Sequence, residues 1–176
     1  IAMRALTNPT NSRTVIPALM PPWRILPDTA PYLLVPPNHG KQEAFLLAIL
    51  SSIALDWYAR KFIESKVMNH FLNAFPIPEM TQSDETNRIV FLSGSLAAEN
   101  SEFEDWAAAV GVPVGTLTEE GERNEAIYEL DALVALAYGL HREQVEHIFE
   151  TFHRGWDYQP RLTRVLEFYD QWRGQA

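Results

Sequence analysis

Between Glu43 and Pro78 the chain reads EAFLLAILSSIALDWYARKFIESKVMNHFLNAFPIP, its most apolar stretch. Phe45, Leu46, Leu47, Ile49, Leu50, Ile53, Leu55 and Trp57 leave almost no polar face. A helix apolar all round has to be buried on most sides, so the pattern predicts one long scaffolding helix over 41–62. A polar turn with Arg60, Lys61 and Lys66 follows. Pro76 and Pro78 then fix an extended exit, because proline locks φ and disfavours helix in the residue before it. Ahead of this helix the pattern is broken: eight of the twelve prolines fall before residue 38. The short apolar runs 14–19 and 32–35 read as strands between proline turns. Pro17 demotes the first of them to an edge strand or bulge.

Beyond a polar joint at 80–84 the periodicity becomes helical. Ile89, Val90, Leu92 and Leu96 predict a helix over 84–99. Ser101 with Glu104 offers a capping box for a short helix ending before Gly111. The 119–138 segment repeats Ile127, Leu130, Val134 and Tyr138 at helical spacing, with Gly139 at the C-cap position. Val145, Ile148, Phe149 and Phe152 define a helix after His141, a poor cap at neutral pH. Leu162, Val165, Leu166, Tyr169 and Trp172 define a last one over 161–173. These last three amphipathic helices should pack on one another. The expected fold class is α+β, mostly α. A small irregular β unit with one long buried helix occupies 1–80, and an acidic helical C-terminal region occupies 81–176.

The 176 residues suffice for a proper core, and a hydrophobic content of 47% argues against disorder. With no cysteine, disulfides, thiolate zinc sites and cysteine catalysis are excluded. The apolar run 44–55 is too short to span a bilayer, and no signal peptide is visible, so a cytoplasmic protein without membrane contact is expected. Ile1 in place of a start methionine suggests a piece of a longer polypeptide.

The net charge of −9 is unevenly spread. Residues 1–80 hold seven Lys/Arg against five Asp/Glu, whereas residues 81–176 hold seven against eighteen. Phosphate contact needs local positive charge rather than a basic chain. Any contact with nucleic acid therefore belongs to the first half. The acidic second half serves at least to keep the surface soluble.

Candidate chemistry is sparse. Glu143, His147 and Glu150 share a helical face, which is either a carboxylate–imidazole ligand set or an ordinary solvated face. The solvated face is preferred, since no partnering motif occurs elsewhere. His141, His147 and His153 are six apart and so cannot share a face. There is no G-x-S-x-G elbow and no glycine cluster for a phosphate loop. Asn8-Pro9-Thr10-Asn11 lacks the second proline and the aromatic of the amino-methyltransferase motif. No catalytic group is assigned to this chain.

Nucleic-acid contact has better support. Arg4, Asn8, Asn11, Arg13 and Thr14 fall in the first fourteen residues, followed by Arg24, Lys41, Arg60, Lys61, Lys66, Asn69 and His70. Arg and Asn can make bidentate contacts to guanine and adenine edges, and Lys and Thr suit phosphates.

Several of these residues sit in a familiar order. Arg4 is followed by Asn11-Ser12-Arg13-Thr14-Val15-Ile16-Pro17-Ala18, then by Leu50-Ser51-Ser52, Asp56-Trp57-Tyr58-Ala59-Arg60 and Phe75-Pro76-Ile77-Pro78. Further on come Leu130-Asp131-Ala132-Leu133-Val134-Ala135, Tyr138-Gly139-Leu140, Ile148-Phe149-Glu150-Thr151-Phe152-His153 and Gly155-Trp156-Asp157-Tyr158. This order resembles the target-recognition and tail region of bacterial adenine-specific DNA methyltransferases of the single-polypeptide restriction–modification type. The resemblance implies a parent enzyme that methylates adenine with S-adenosylmethionine in an N-terminal catalytic domain, whose motifs are absent here. Double-stranded DNA and that catalytic domain are then the expected partners, and this chain needs no cofactor of its own. Arg4, Asn11, Arg13, Thr14, Lys61, Lys66 and Asn69 are the expected DNA contacts. The alternatives are a helical docking module without DNA contact, or a small metal-dependent enzyme using Glu143, His147 and Glu150.

Overall fold

The computed structural model describes residues 1–8 and 10–174. Its fold is mostly α with a small β element. The chain begins with β1 (Ala2–Met3), which pairs antiparallel with β2 (Pro17–Ala18), Met3 standing opposite Pro17. Pro17 occupies an edge, where its missing N–H disrupts no ladder. The two runs expected as strands shrink to β2 and to a single bridge, Ala2 opposite Tyr32. The pairing they lose goes to residues 1–7, which the pattern did not mark as a strand. Met3 and Ala5 donate to the carbonyls of Pro31 and Thr29, Arg4 to Ile16, and Thr7 to Ser65.

The single helix expected over 41–62 is two helices, α1 (Gly40–Ser51) and α2 (Ile53–Ala59). Ser52 takes an extended backbone, ψ 152°, between them. Its hydroxyl donates to the Ile49 carbonyl at 2.8 Å and accepts from the Leu55 amide at 3.2 Å. A serine side chain competing for backbone groups in this way gives the chain an alternative to continuing the helix. Both helices are buried as the apolar pattern requires, with Ala48, Ile49, Leu50 and Leu55 almost wholly inaccessible. A one-turn helix, α3 (Asn69–Leu72), precedes the proline exit.

Six further segments complete the chain. Helix α4 (Asp84–Ala97) starts from Ser83, whose hydroxyl accepts from the Thr86 amide. A 3-10 turn, Ser101–Phe103, leads into α5 (Glu104–Val110), which Gly111 ends with φ +89°. In place of the expected Ser101–Glu104 box, Asn100 Oδ1 accepts from the Glu102 amide at 2.9 Å. Helices α6 (Glu120–Ala137), α7 (Arg142–Phe152) and α8 (Gln159–Arg173) follow. At the start of α7 the gap left by His141 is met by Gln144, whose Oε1 accepts from the His141 amide at 2.7 Å.

One apolar cluster gathers Met3, Val15 and Val67 around α1, together with Ile89 and Leu92 of α4 and Leu133 of α6. A second joins Ile53 of α2 to Phe149 of α7 and to Val165 and Tyr169 of α8. Helix α8 packs on α6 and α7, and α2 touches the same pair. The polar joint near residue 80 is therefore a surface loop, while the core runs uninterrupted from the front of the chain into the rear helices. Among the described residues no helix is long and apolar enough to cross a membrane.

Candidate nucleic-acid interface

The break at Ser52 leaves the last carbonyls of α1 and the first amides of α2 without helical partners. Distant side chains satisfy them. Arg13 Nη2 donates to the carbonyls of Ser51 and Ser52 at 2.6 and 3.1 Å. Asp131 Oδ1 accepts from the Ile53 amide at 3.0 Å, and its Oδ2 is paired with Arg161. One turn further along α2 lies Asp56, fully buried. Its carboxylate accepts from the Thr14 amide at 3.0 Å and the Val15 amide at 2.7 Å. Arg13 Nε stands 3.1 Å and Arg60 Nε 3.6 Å from its Oδ2. Burial pulls the Arg13 guanidinium below the usual arginine range, against the opposing pull of Asp56 and Asp131.

This arrangement corrects two expected DNA contacts. Arg13 is spent on α1, α2 and Asp56, and its side chain lies within the protein beside residues of α8. Thr14 is only 3% exposed. Neither can reach a base edge or a phosphate while the fold stands. What they do instead is fasten the 13–15 segment to α2, which sets the position of the small sheet.

The outer face of that sheet carries two of the remaining candidates. Side chains alternate along an extended chain, and directly paired residues share a face. Met3, Ala5, Val15 and Val67 point inward and are buried, while Arg4, Leu6, Ile16 and Lys66 are exposed. Lys66 pairs with Leu6, Tyr32 with Ala2, and the Ile16 carbonyl with the Arg4 amide. Arg4 and Lys66 therefore project from one surface with Leu6, Ile16 and the half-exposed Tyr32.

Two more candidates adjoin this face. With its amide oriented to match its neighbours, Asn11 Oδ1 accepts from Arg4 Nη2 at 2.9 Å and from the Asn8 amide at 3.0 Å. The Asn11 carbonyl is held by Arg60 Nη2 at 2.7 Å. Asn69 lines a groove of about 530 Å³ with Lys66, Tyr32, Met68 and Asp28. Lys61 stands elsewhere, its ammonium 4.4 Å from the centre of the Trp57 ring, which itself donates to Thr151 on α7.

The rear half adds residues that the charge count had set aside. His153 reaches the Thr10 carbonyl at 3.3 Å. With Arg154 it brings the loop after α7 against the 10–13 segment. No local signal in 81–176 marks them, since the contact is made across more than 140 residues. Glu143, His147 and Glu150 are all exposed, and His147 packs edge-on against Trp57 at 6.1 Å. Among the described residues no group of three or more His, Asp or Glu side chains converges as a metal site would.

No protein-family model, curated protein or solved structure matches the chain.

Proposed function

We propose that this chain is the DNA-target-recognition portion of a restriction–modification adenine methyltransferase, reading the duplex rather than modifying it. The observation that carries the reading is the shared exposed face of Arg4 and Lys66, continued by Asn11 on one side and Asn69 on the other. Arginine and asparagine supply the paired donors and acceptors that distinguish guanine and adenine in the major groove. Lysine supplies charge for the backbone. The supporting sheet is fixed to α2 through Asp56, so the loops bearing these groups stand on a rigid base. The order of motifs along the chain, from Arg4 to Tyr158, adds the resemblance to that enzyme class.

S-adenosylmethionine belongs, on this reading, to a catalytic domain carried by the same polypeptide. The two-stranded sheet provides no crevice of the doubly wound kind at which such cofactors sit, and this chain is assigned no step with it. The acidic rear helices face away from the duplex and dock on the catalytic domain, where much of their charge is already paired. Arg88 holds Glu129 at 2.7 Å, Arg123 holds Glu99 at 2.9 Å, and Arg164 bridges Glu125 and Glu167.

Duplex binding measured across a salt series tests this. Log affinity should fall linearly with log salt, as phosphate contacts release counterions; affinity indifferent to salt contradicts the reading. A second reading, a docking module without DNA contact, is favoured by Trp23 and Ile25, each 98% exposed, and Leu34, 84% exposed. Exposed apolar groups of that size mark association surfaces. That reading predicts no duplex affinity at low salt, together with self-association abolished by Trp23→Ser and Ile25→Ser.

A further inference from the structure

Beneath the loop that follows α7 lies a second cavity, of about 370 Å³, between Ser12 and Arg13 on one side and Phe152 to Arg161 on the other. In a chain of net charge −9 its lining is unusual: Arg13, Arg154, Arg161 and His153 contribute, and among the described residues no acidic side chain does. The nearest carboxylates are already engaged. Asp56 serves Arg13, Arg60 and two backbone amides, and Asp131 serves Arg161 and the Ile53 amide. Three arginines thus share two carboxylates, leaving a positive charge in the wall of the cavity before Arg154 is counted.

Hydrogen-bonding capacity is left over as well. Among the described residues Arg13 donates through Nη2 and Arg161 through Nη2, and neither Nη1 has a protein acceptor. The Nε atoms of both are buried without a hydrogen-bond partner. A guanidinium presents five donors in a fixed fork that suits tetrahedral oxyanions. Ser12 adds a hydroxyl at the rim, and Trp156, packed at 5.7 Å against Phe149, closes one wall.

We propose that this cavity binds a phosphoryl group, held by Arg154 at the mouth and by Arg13 and Arg161 within. A phosphate dianion would neutralise the surplus charge and accept the idle Nη1 donors. Two sources share this chemistry, a backbone phosphate of a bound duplex and the phosphate of a small molecule. The inference does not depend on the duplex-binding reading, because the anion can be measured without DNA.

The test is calorimetric titration of inorganic pyrophosphate into the chain at constant ionic strength. Saturable one-site binding is expected, weakened at least tenfold by Arg154→Ala and measurably by Ser12→Ala, and unchanged by Arg24→Ala, which lies outside the cavity. Arg154 is exposed, so its variant should fold as the parent does. No saturable binding, or equal binding by Arg154→Ala, overturns the proposal. A labelled duplex then separates the sources. Displacement of the duplex by pyrophosphate assigns the cavity to a backbone phosphate, and retention of the duplex with pyrophosphate bound assigns it to a free phosphorylated molecule.

Discussion

Arg13 and Asp56 meet in the interior, Nε to Oδ2 at 3.1 Å, and the same guanidinium caps the end of α1 through the carbonyls of Ser51 and Ser52. The pair joins the first loop of the chain to the break between its two most buried helices. Removing Asp56 strands Arg13 and Arg60 as charges and orphans the amides of Thr14 and Val15. Asp56→Ala should therefore cost about 3–5 kcal/mol, the range for breaking a buried ion pair from one side. Asp56→Asn should cost less, because an amide oxygen can still accept from the two backbone donors. Denaturant unfolding at neutral pH checks both. Equal stability for wild type and Asp56→Ala would remove Asp56 from its structural role.

Arg13→Ala follows from the same geometry. Its effect should appear as lost stability, since it withdraws a partner from Asp56 and from two helix-end carbonyls. Arg4→Ala, on the exposed sheet face, should leave the unfolding midpoint within about 0.5 kcal/mol of wild type, as surface substitutions do. Measured side by side in urea, the two arginines should separate clearly. A destabilising Arg4→Ala with a neutral Arg13→Ala would reverse the assignment.

That separation shows how far the sequence reached. The buried character of the 43–57 segment, the helices over 84–97 and 120–137, and the stop at Gly139 all rest on local periodicity and local turn chemistry, and those signals lie within a dozen residues. The break at Ser52 does not. Leu50-Ser51-Ser52-Ile53 continues the apolar helix pattern, and the groups that satisfy the break, Arg13 and Asp131, lie 38 and 78 residues away. Arg13 likewise reads as a loop cation until its partner is known. One available clue was Asp56, a lone carboxylate inside a greasy helix, which must be paired if it is buried. His153 and Arg154 were hidden by the opposite error, a charge count that treated the acidic half as uniform.

Gly94 sits where α4 meets the end of α5. A methyl group built there would lie 3.0 Å from both Val110 and Val112. Overpacking of this kind costs about 1–3 kcal/mol, against a helix-propensity gain of about 1 kcal/mol for Gly→Ala. Gly94→Ala should thus be neutral to destabilising by up to about 2 kcal/mol on those two terms. Gly121, with nothing within 4 Å of the same methyl, provides the control: Gly121→Ala should not destabilise. Thermal unfolding of the two variants gives the comparison, and a stabilised Gly94→Ala would show that the valines yield freely.

Tyr138 donates to the Pro76 carbonyl at 2.7 Å, closing the proline exit onto the end of α6. Burial pushes its phenol well above the usual tyrosine range. The folded state therefore keeps the proton after the unfolded chain has begun to lose it. The resulting stability is intact below about pH 10, the unperturbed tyrosine value, and declines as the pH rises beyond it. In Tyr138→Phe this part of the alkaline decline should be missing, so the stability difference between wild type and variant should narrow from pH 9 to pH 11. A constant difference over that range would show that the phenol titrates as if exposed.

Charge reversal on the sheet face puts the proposed interface to its most direct trial. Arg4→Glu with Lys66→Glu should lower duplex affinity at least a hundredfold at low salt and flatten the slope of log affinity against log salt by about two, one for each lost phosphate contact. The unfolding midpoint should stay where it was. Affinity and slope unchanged from wild type, in a variant that remains folded, would mean that this face does not meet DNA.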